Sequence, residues 1–144
     1  MARKGETHLQ KRIHRAVRRA FKCFSFKVHG NEFQRSGIPD LLFCICGIFL
    51  GLEVKMPRGR VSEVQFAVMR EIREAGGYAE VVEDPEEALR FITRVLRKEG
   101  RLSQAVKAPA EEGRRVRMRK GSLRSLVQAA PRKDLHNRRR HRKT

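Results

Sequence analysis

The sequence holds little cysteine, no long apolar run and few acids for its number of bases, and each shortage excludes a class of protein. Cys23, Cys44 and Cys46 are an odd count without paired spacing, which argues against a disulfide-stapled scaffold. All three lie among apolar residues and read as small buried hydrophobes in a reducing compartment. Cys44-x-Cys46 has no second ligand pair at zinc-site spacing, so packing is the better reading. No apolar stretch approaches the ~20 residues that a membrane-spanning helix needs. The opening MARKGETHLQKR lacks the apolar centre of a signal peptide. The expectation is a soluble, intracellular protein without a membrane partner.

The shortage of acids is the most informative. Against 34 Lys and Arg stand 16 Asp and Glu, a formal net charge of +18 over 144 residues. Such an excess calls for a polyanionic partner, with nucleic acid the leading candidate. The charge is uneven. Residues 1–30 carry nine bases and one acid, residues 31–100 ten bases and twelve acids, and residues 101–144 fifteen bases and three acids. A near-neutral body thus has a basic first helix and a basic tail. Residues 1–100 are expected to form one domain. Residues 101–144, short of large apolar residues, are expected to be a basic extension that stays disordered or orders on DNA or in a dimer; LSQAV and LRSLVQ are its only candidate helical pieces.

Periodicity supplies the elements, and no internal repeat is present. Leu9, Ile13, Ala16, Val17 and Ala20 mark an amphipathic helix over about residues 6–21, with Glu6 near its apolar stripe. Phe24, Phe26 and Val28 alternate with polar residues as in a strand, and residues 29–37 form a polar loop. Two short apolar runs around Cys46-Gly47 predict a β-hairpin, and their continuous hydrophobicity predicts cover on both faces. A basic turn, residues 56–60, leads to a helix from Ser62 to about Ala75, stopped by Gly76-Gly77. Tyr78 to Glu83 is a short strand. Asp84-Pro85 starts a last helix that Gly100 closes. The predicted order is α-β-β-β-α-β-α, an α/β fold with a central mixed sheet flanked by helices.

The hairpin places chemistry. A turn centred on Cys46-Gly47 sets Asp40 opposite Glu53, on one side of the sheet, with Cβ atoms about 4.5–5.5 Å apart. Two like charges so placed repel, and a divalent cation between them removes the penalty. Lys55, two residues on, projects from the same face. A one-residue shift of the turn would separate the acids. A lone acid at a strand end is ordinarily solvated, but these charges sit within LLFCICGIFLGLEVKM, where a buried charge needs a partner or a metal.

Ser36-Gly37-Ile38-Pro39-Asp40-Leu41-Leu42, followed by Leu52-Glu53-Val54-Lys55, resembles the PD-(D/E)xK nuclease signature. Within that superfamily the chain is most similar to the VRR-NUC family, through Glu6 in the first helix, the basic turn with Arg58 and Arg60, the helix start Ser62-Glu63-Val64-Gln65, and Gly76-Gly77-Tyr78. The resemblance covers roughly residues 6–97. It implies a restriction-endonuclease-like core and a metal-dependent DNA endonuclease. Asp40, Glu53 and the Val54 backbone carbonyl would hold Mg²⁺ or Mn²⁺, with Glu6 completing the metal site and Lys55 and Gln65 among the catalytic residues. It also implies a homodimer of a bacterial or phage-infected cell, acting on branched DNA such as Holliday junctions, in DNA repair or recombination, with no organic cofactor. A flap- or nick-directed nuclease and a non-catalytic nucleic-acid binder are the alternatives.

Two of these residues have plainer readings. Glu6 in a first helical turn complements the helix dipole, and Ser62-x-x-Gln65 is a capping box. Arg12, Arg15, Arg18, Arg19, Arg58 and Arg60 are read as phosphate contacts, some of them solvating a surface only. His8, His14 and His29 lie in no metal-ligand spacing and are not expected to act as bases.

Overall fold

The hairpin at the centre of the fold follows from its turn. Cys46 and Gly47 take positive φ, 51° and 81°, as a two-residue type I′ turn requires. The computed structural model, which describes residues 4–30 and 34–108, sets Ile45 opposite Ile48 and Leu41 opposite Leu52, the register expected. Four strands form one sheet in the order β1 (Phe24–Lys27), β2 (Leu41–Ile45), β3 (Ile48–Val54), β4 (Tyr78–Val82). The first three run antiparallel and β4 pairs parallel to β3, so the α/β fold has a mixed sheet.

Helices α1 (Lys4–Ala20) and α3 (Pro85–Lys98) pack on one face. Their buried Leu9, Ile13, Val17, Phe91, Ile92, Val95 and Leu96 meet Leu41, Phe43, Ile45, Leu50, Leu52 and Val54 in one core. Helix α2 (Glu63–Glu74) lies on the other face, against β4. The caps are as the sequence has them: Ser62 and Gln65 close a reciprocal capping box, and Asp84 caps α3 ahead of Pro85. Among the described residues no helix is long and apolar enough to cross a membrane.

Three expectations need correction. The hairpin is not covered on both faces: Cys44 and Phe49 are exposed, with Phe24 and Phe26 beside them. The cysteines are accordingly not all buried; Cys44 and Cys46 are exposed and Cys23 is half-buried. Folding also does not stop at Gly100. A short α4 (Leu102–Ala105), the LSQAV piece, buries Ala105, and Val106 bridges to Phe21. Lys22 N–H donates to the Ala105 carbonyl, which ties this segment to the end of α1. The remaining extension, 109–144, with its expected role as a DNA-binding arm and the LRSLVQ piece, lies outside the described residues.

The loop before β2 fixes where Asp40 emerges. Gly37 has φ 84°, and a Cβ there would lie 2.7 Å from the Val64 carbonyl oxygen in α2. Pro39 is buried, and its ring meets Gly51 so closely that a Cβ at that position would lie 3.0 Å from Cγ. We expect Gly37→Ala to cost about 1–2 kcal/mol from its left-handed backbone alone. For a folded body of this size that lowers the thermal midpoint by roughly 4–16 °C. An unchanged midpoint in a calorimetric scan overturns this account of the loop.

Candidate metal centre on the α2 face of the sheet

Side chains alternate along a strand, and the core on the α1–α3 face claims Leu50, Leu52 and Val54 of β3. Phe49, Gly51, Glu53 and, just past the strand, Lys55 therefore share the α2 face. By the same alternation so do Asp40, Leu42 and Cys44, and across from them Phe26 and Phe24. The strands thus bring Asp40, Glu53 and Lys55 together, as the hairpin register required.

Each of the three is held. Val28 N–H donates to the Asp40 backbone carbonyl at 2.9 Å, which extends the β1–β2 ladder to Asp40. The Asp40 carboxylate accepts from Val54 N–H at 2.9 Å through Oδ2. Glu53 is 1% exposed. Its Oε1 accepts from Lys55 Nζ at 2.8 Å and from Gln65 Nε2 at 2.5 Å. Its Oε2 is buried with no partner among the described residues. Gln65 meanwhile accepts from Ser62 N–H through its own Oε1 at 3.0 Å. The capping role and the site role of Gln65 are therefore both realised, because an amide offers an acceptor and donors at once.

The electrostatics follow from burial. Desolvation pushes the Glu53 carboxyl up to about 7, with the charges of Asp40 and Glu6 adding to it and Lys55 opposing. Burial also raises Asp40, against the pull of the Val54 N–H; Glu6 raises it further, while Lys55 and the Gln10 amide hold it down. Burial works against the Lys55 ammonium, but the hydrogen bond to Glu53 and the three nearby carboxylates outweigh it and raise its pKa.

Glu6 reaches both carboxylates through its charge, from the first turn of α1. The start of that helix is held near the basic turn: a Cβ on Gly5 would lie 3.6 Å from Met56 Cε. Gln10 was not among the residues singled out from the sequence. It is 5% exposed and lies one helical turn after Glu6, beside Asp40. The available signal was a polar residue on the apolar stripe of α1 that runs through Ile13 and Val17.

Other expected residues fall elsewhere. Arg12, Arg15 and Arg19 are exposed and lie roughly half a turn around α1 from Glu6 and Gln10 at 3.6 residues per turn. The structure does not bring them to the carboxylates. Arg58 and Arg60 are exposed in the turn just after Lys55, and Arg58 holds a left-handed φ of 68°. His14 bonds Ser25 at 2.8 Å and stacks on Phe43, on the opposite face of the sheet, where burial lowers its pKa.

The donor set suits a hard divalent cation. The buried Glu53 carboxylate faces the half-buried Asp40 carboxylate, and Oε2 of Glu53 is unpartnered among the described residues, all in oxygen chemistry. Among the described residues no three His, Cys, Asp or Glu side chains converge on one point, so a further ligand has to come from the backbone or from water.

A proton balance tests the burial of Glu53. In the metal-free chain its carboxyl titrates near 7 when folded and near 4.5 otherwise. Between those values the folded chain keeps a proton that the unfolded chain has lost, so stability falls as pH rises through the window. The fall amounts to about 3 kcal/mol at most. Urea midpoints in chelator should be lower at pH 8 than at pH 5, and Glu53→Gln should remove most of the difference. An equal fall in the variant would exclude Glu53 as its cause.

No family model matches the chain, and no curated protein matches it. Among solved structures the chain is similar to one described as a VRR_NUC domain, with 24% identity, 60% of this chain and 92% of that chain covered, and a TM-score of 0.49.

Proposed function

We propose that the chain is a nuclease: a divalent-metal-dependent endonuclease that hydrolyses phosphodiester bonds in DNA, working as a homodimer on branched substrates such as Holliday junctions. The observation that carries the reading is the Glu53 carboxylate. It is buried, one oxygen is bound to Lys55 and Gln65, and the other has no partner among the described residues and lies beside the Asp40 carboxylate. A structural ion pair needs none of that, and a non-catalytic DNA-binding protein has no use for a buried acid beside its polyanion.

Asp40, Glu53 and the Val54 carbonyl would hold Mg²⁺ or Mn²⁺, with Glu6 behind them. When bound, the ion supplies Lewis-acid polarisation of the phosphate and a more acidic water. The chain's own groups do the rest. Lys55 stays an ammonium at neutral pH, because its pKa is raised. It therefore stabilises negative charge on the phosphate and orients water rather than acting as a base. Gln65 and Lys55 fix Oε1 of Glu53, which leaves Oε2 for the ion. Gln10 and the Val54 N–H steady Asp40. Arg58 and Arg60, exposed next to Lys55, contact flanking phosphates. A two-fold dimer offers two such centres to the two equivalent strands of a four-way junction.

Labelled four-way junctions, flaps, nicked duplex and plain duplex, incubated with Mg²⁺ or Mn²⁺, test the reading. Asp40→Asn and Glu53→Gln should each lower cutting by at least about 100-fold while leaving binding in place. Cleavage by Asp40→Asn at the parental rate sinks the proposal. Faster cutting of flaps than of junctions moves the substrate and keeps the chemistry. A second variant separates contact from scaffold. Arg58→Gly relieves a left-handed residue and should stabilise the chain by about 1 kcal/mol. It should also weaken DNA binding and lower the salt slope of affinity by about one. Unaltered affinity would remove Arg58 from the interface.

A further inference from the structure

The α2 face of the sheet is only half covered. Helix α2 lies against β4 and reaches β3 at Gly51, and among the described residues no helix lies over β1 and β2 on this face. Three phenylalanines line the opening: Phe24 is 71% exposed, Phe26 51% and Phe49 44%. Phe24 and Phe26 are two residues apart on an edge strand, so their rings stand about 6.8 Å apart along it. Phe26 pairs with Leu42, two residues from Asp40. Its Cα is thus roughly 8 Å from that of Asp40, by strand rise and spacing.

Lys22 is exposed two residues before Phe24, whereas Lys27 alternates to the opposite face, where helix α1 packs. At the far rim of the open half, Arg35 and Glu71 pair with each other. Position selects the occupant: the rings adjoin the carboxylates that the proposed reading gives to a phosphodiester, so the flat apolar faces that reach them are those of its nucleobases.

We propose that Phe24 and Phe26, with Phe49 beside them, form a stacking platform for unpaired nucleobases next to the metal centre. The proposal rests on the nuclease reading and deepens it. A base freed from its stack at a branch point or an end lies on the rings, Lys22 binds its backbone, and the adjoining phosphate reaches Asp40 and Glu53. Stacking is tolerant of sequence, because every base has a π-face. The platform therefore selects unpaired structure and not sequence, and bases held within an intact duplex cannot reach it.

The test uses the full chain in chelator, so that no cutting occurs, with fluorescein-labelled oligothymidylate and blunt duplex of equal length. Phe24→Ala with Phe26→Ala should weaken oligothymidylate binding by about tenfold or more and leave duplex binding nearly unchanged. Phe24→Tyr with Phe26→Tyr should restore it; leucine at both positions, which keeps apolar area without a flat ring, should not. The chain has no tryptophan, so Phe26→Trp adds a single tryptophan, whose emission oligothymidylate should quench and duplex should not. Equal losses on both ligands, rescue by leucine, or an unquenched tryptophan overturn the platform. So does conversion of a dimer to a monomer by the alanine pair with oligothymidylate affinity intact, which would assign the face to a second copy of the chain. A parent that binds oligothymidylate through the rings but never cuts with Mn²⁺ defeats the nuclease reading alone. A parent that cuts, with rings that do not matter to binding, defeats the platform alone.

Discussion

Burial of the Glu53 carboxylate is the constraint around which the rest of the site is arranged. An ion taken from water loses several kcal/mol of solvation even after the protein relaxes, and Glu53 sits at the end of a central strand with almost no contact with solvent. Three elements meet there, and two of them offset the loss. β3 itself supplies Lys55, α2 supplies Gln65 through its capping box, and the loop before β2 supplies Asp40. The last of these makes matters worse, because Asp40 brings a second negative charge to the neighbouring peptide. Local choices that oppose folding in this way collect at functional sites. On the proposed reading a cation between the two carboxylates removes the opposition.

Much of the scaffold was legible because its signals are local. A Cys-Gly pair between apolar runs specifies a tight turn, and the turn alone fixes which residues of β2 and β3 face each other. Ser62-x-x-Gln65 and Asp84-Pro85 start helices for reasons contained in four residues. What escaped was cover, which is not local. The unbroken hydrophobicity of residues 41–54 reads as cover on both faces, yet Cys44 and Phe49 are exposed. Strands lie about 4.8 Å apart and a helix is about 10 Å across, so one helix covers roughly two strands. Two helices cover the α1–α3 face, and α2 alone cannot cover four strands on the other. The end of the fold was misplaced for a related reason. Gly100 does stop α3, with φ 65°, but the few apolar residues after it are enough to pack a further turn against Phe21.

In the site itself, strand parity made the triad readable and helical parity placed Glu6. Gln10 was not readable as chemistry, because a single glutamine has no signature until the residue it faces is known. The α1 arginines show the converse. They were read as phosphate contacts, and the period of the helix that carries them turns Arg12, Arg15 and Arg19 away from the carboxylates. A count of charges does not locate them.

The uneven cover of the sheet and the burial of Glu53 belong together. On the proposed reading, the carboxylate pair must be dry enough for its charge to act strongly and yet reachable by a rod of nucleic acid. A second helix over β1 and β2 would bury the phenylalanines and stabilise the chain. It would also wall off the side of the sheet on which Asp40 and Glu53 open. With α2 placed over β3 and β4 only, Glu53 is dried by its neighbours while the strand bearing Asp40 keeps a free flank. On the proposed reading the exposed aromatic area is the cost of access, and flat rings beside the two carboxylates give a nucleic acid that reaches them a surface for its bases as well as its phosphates.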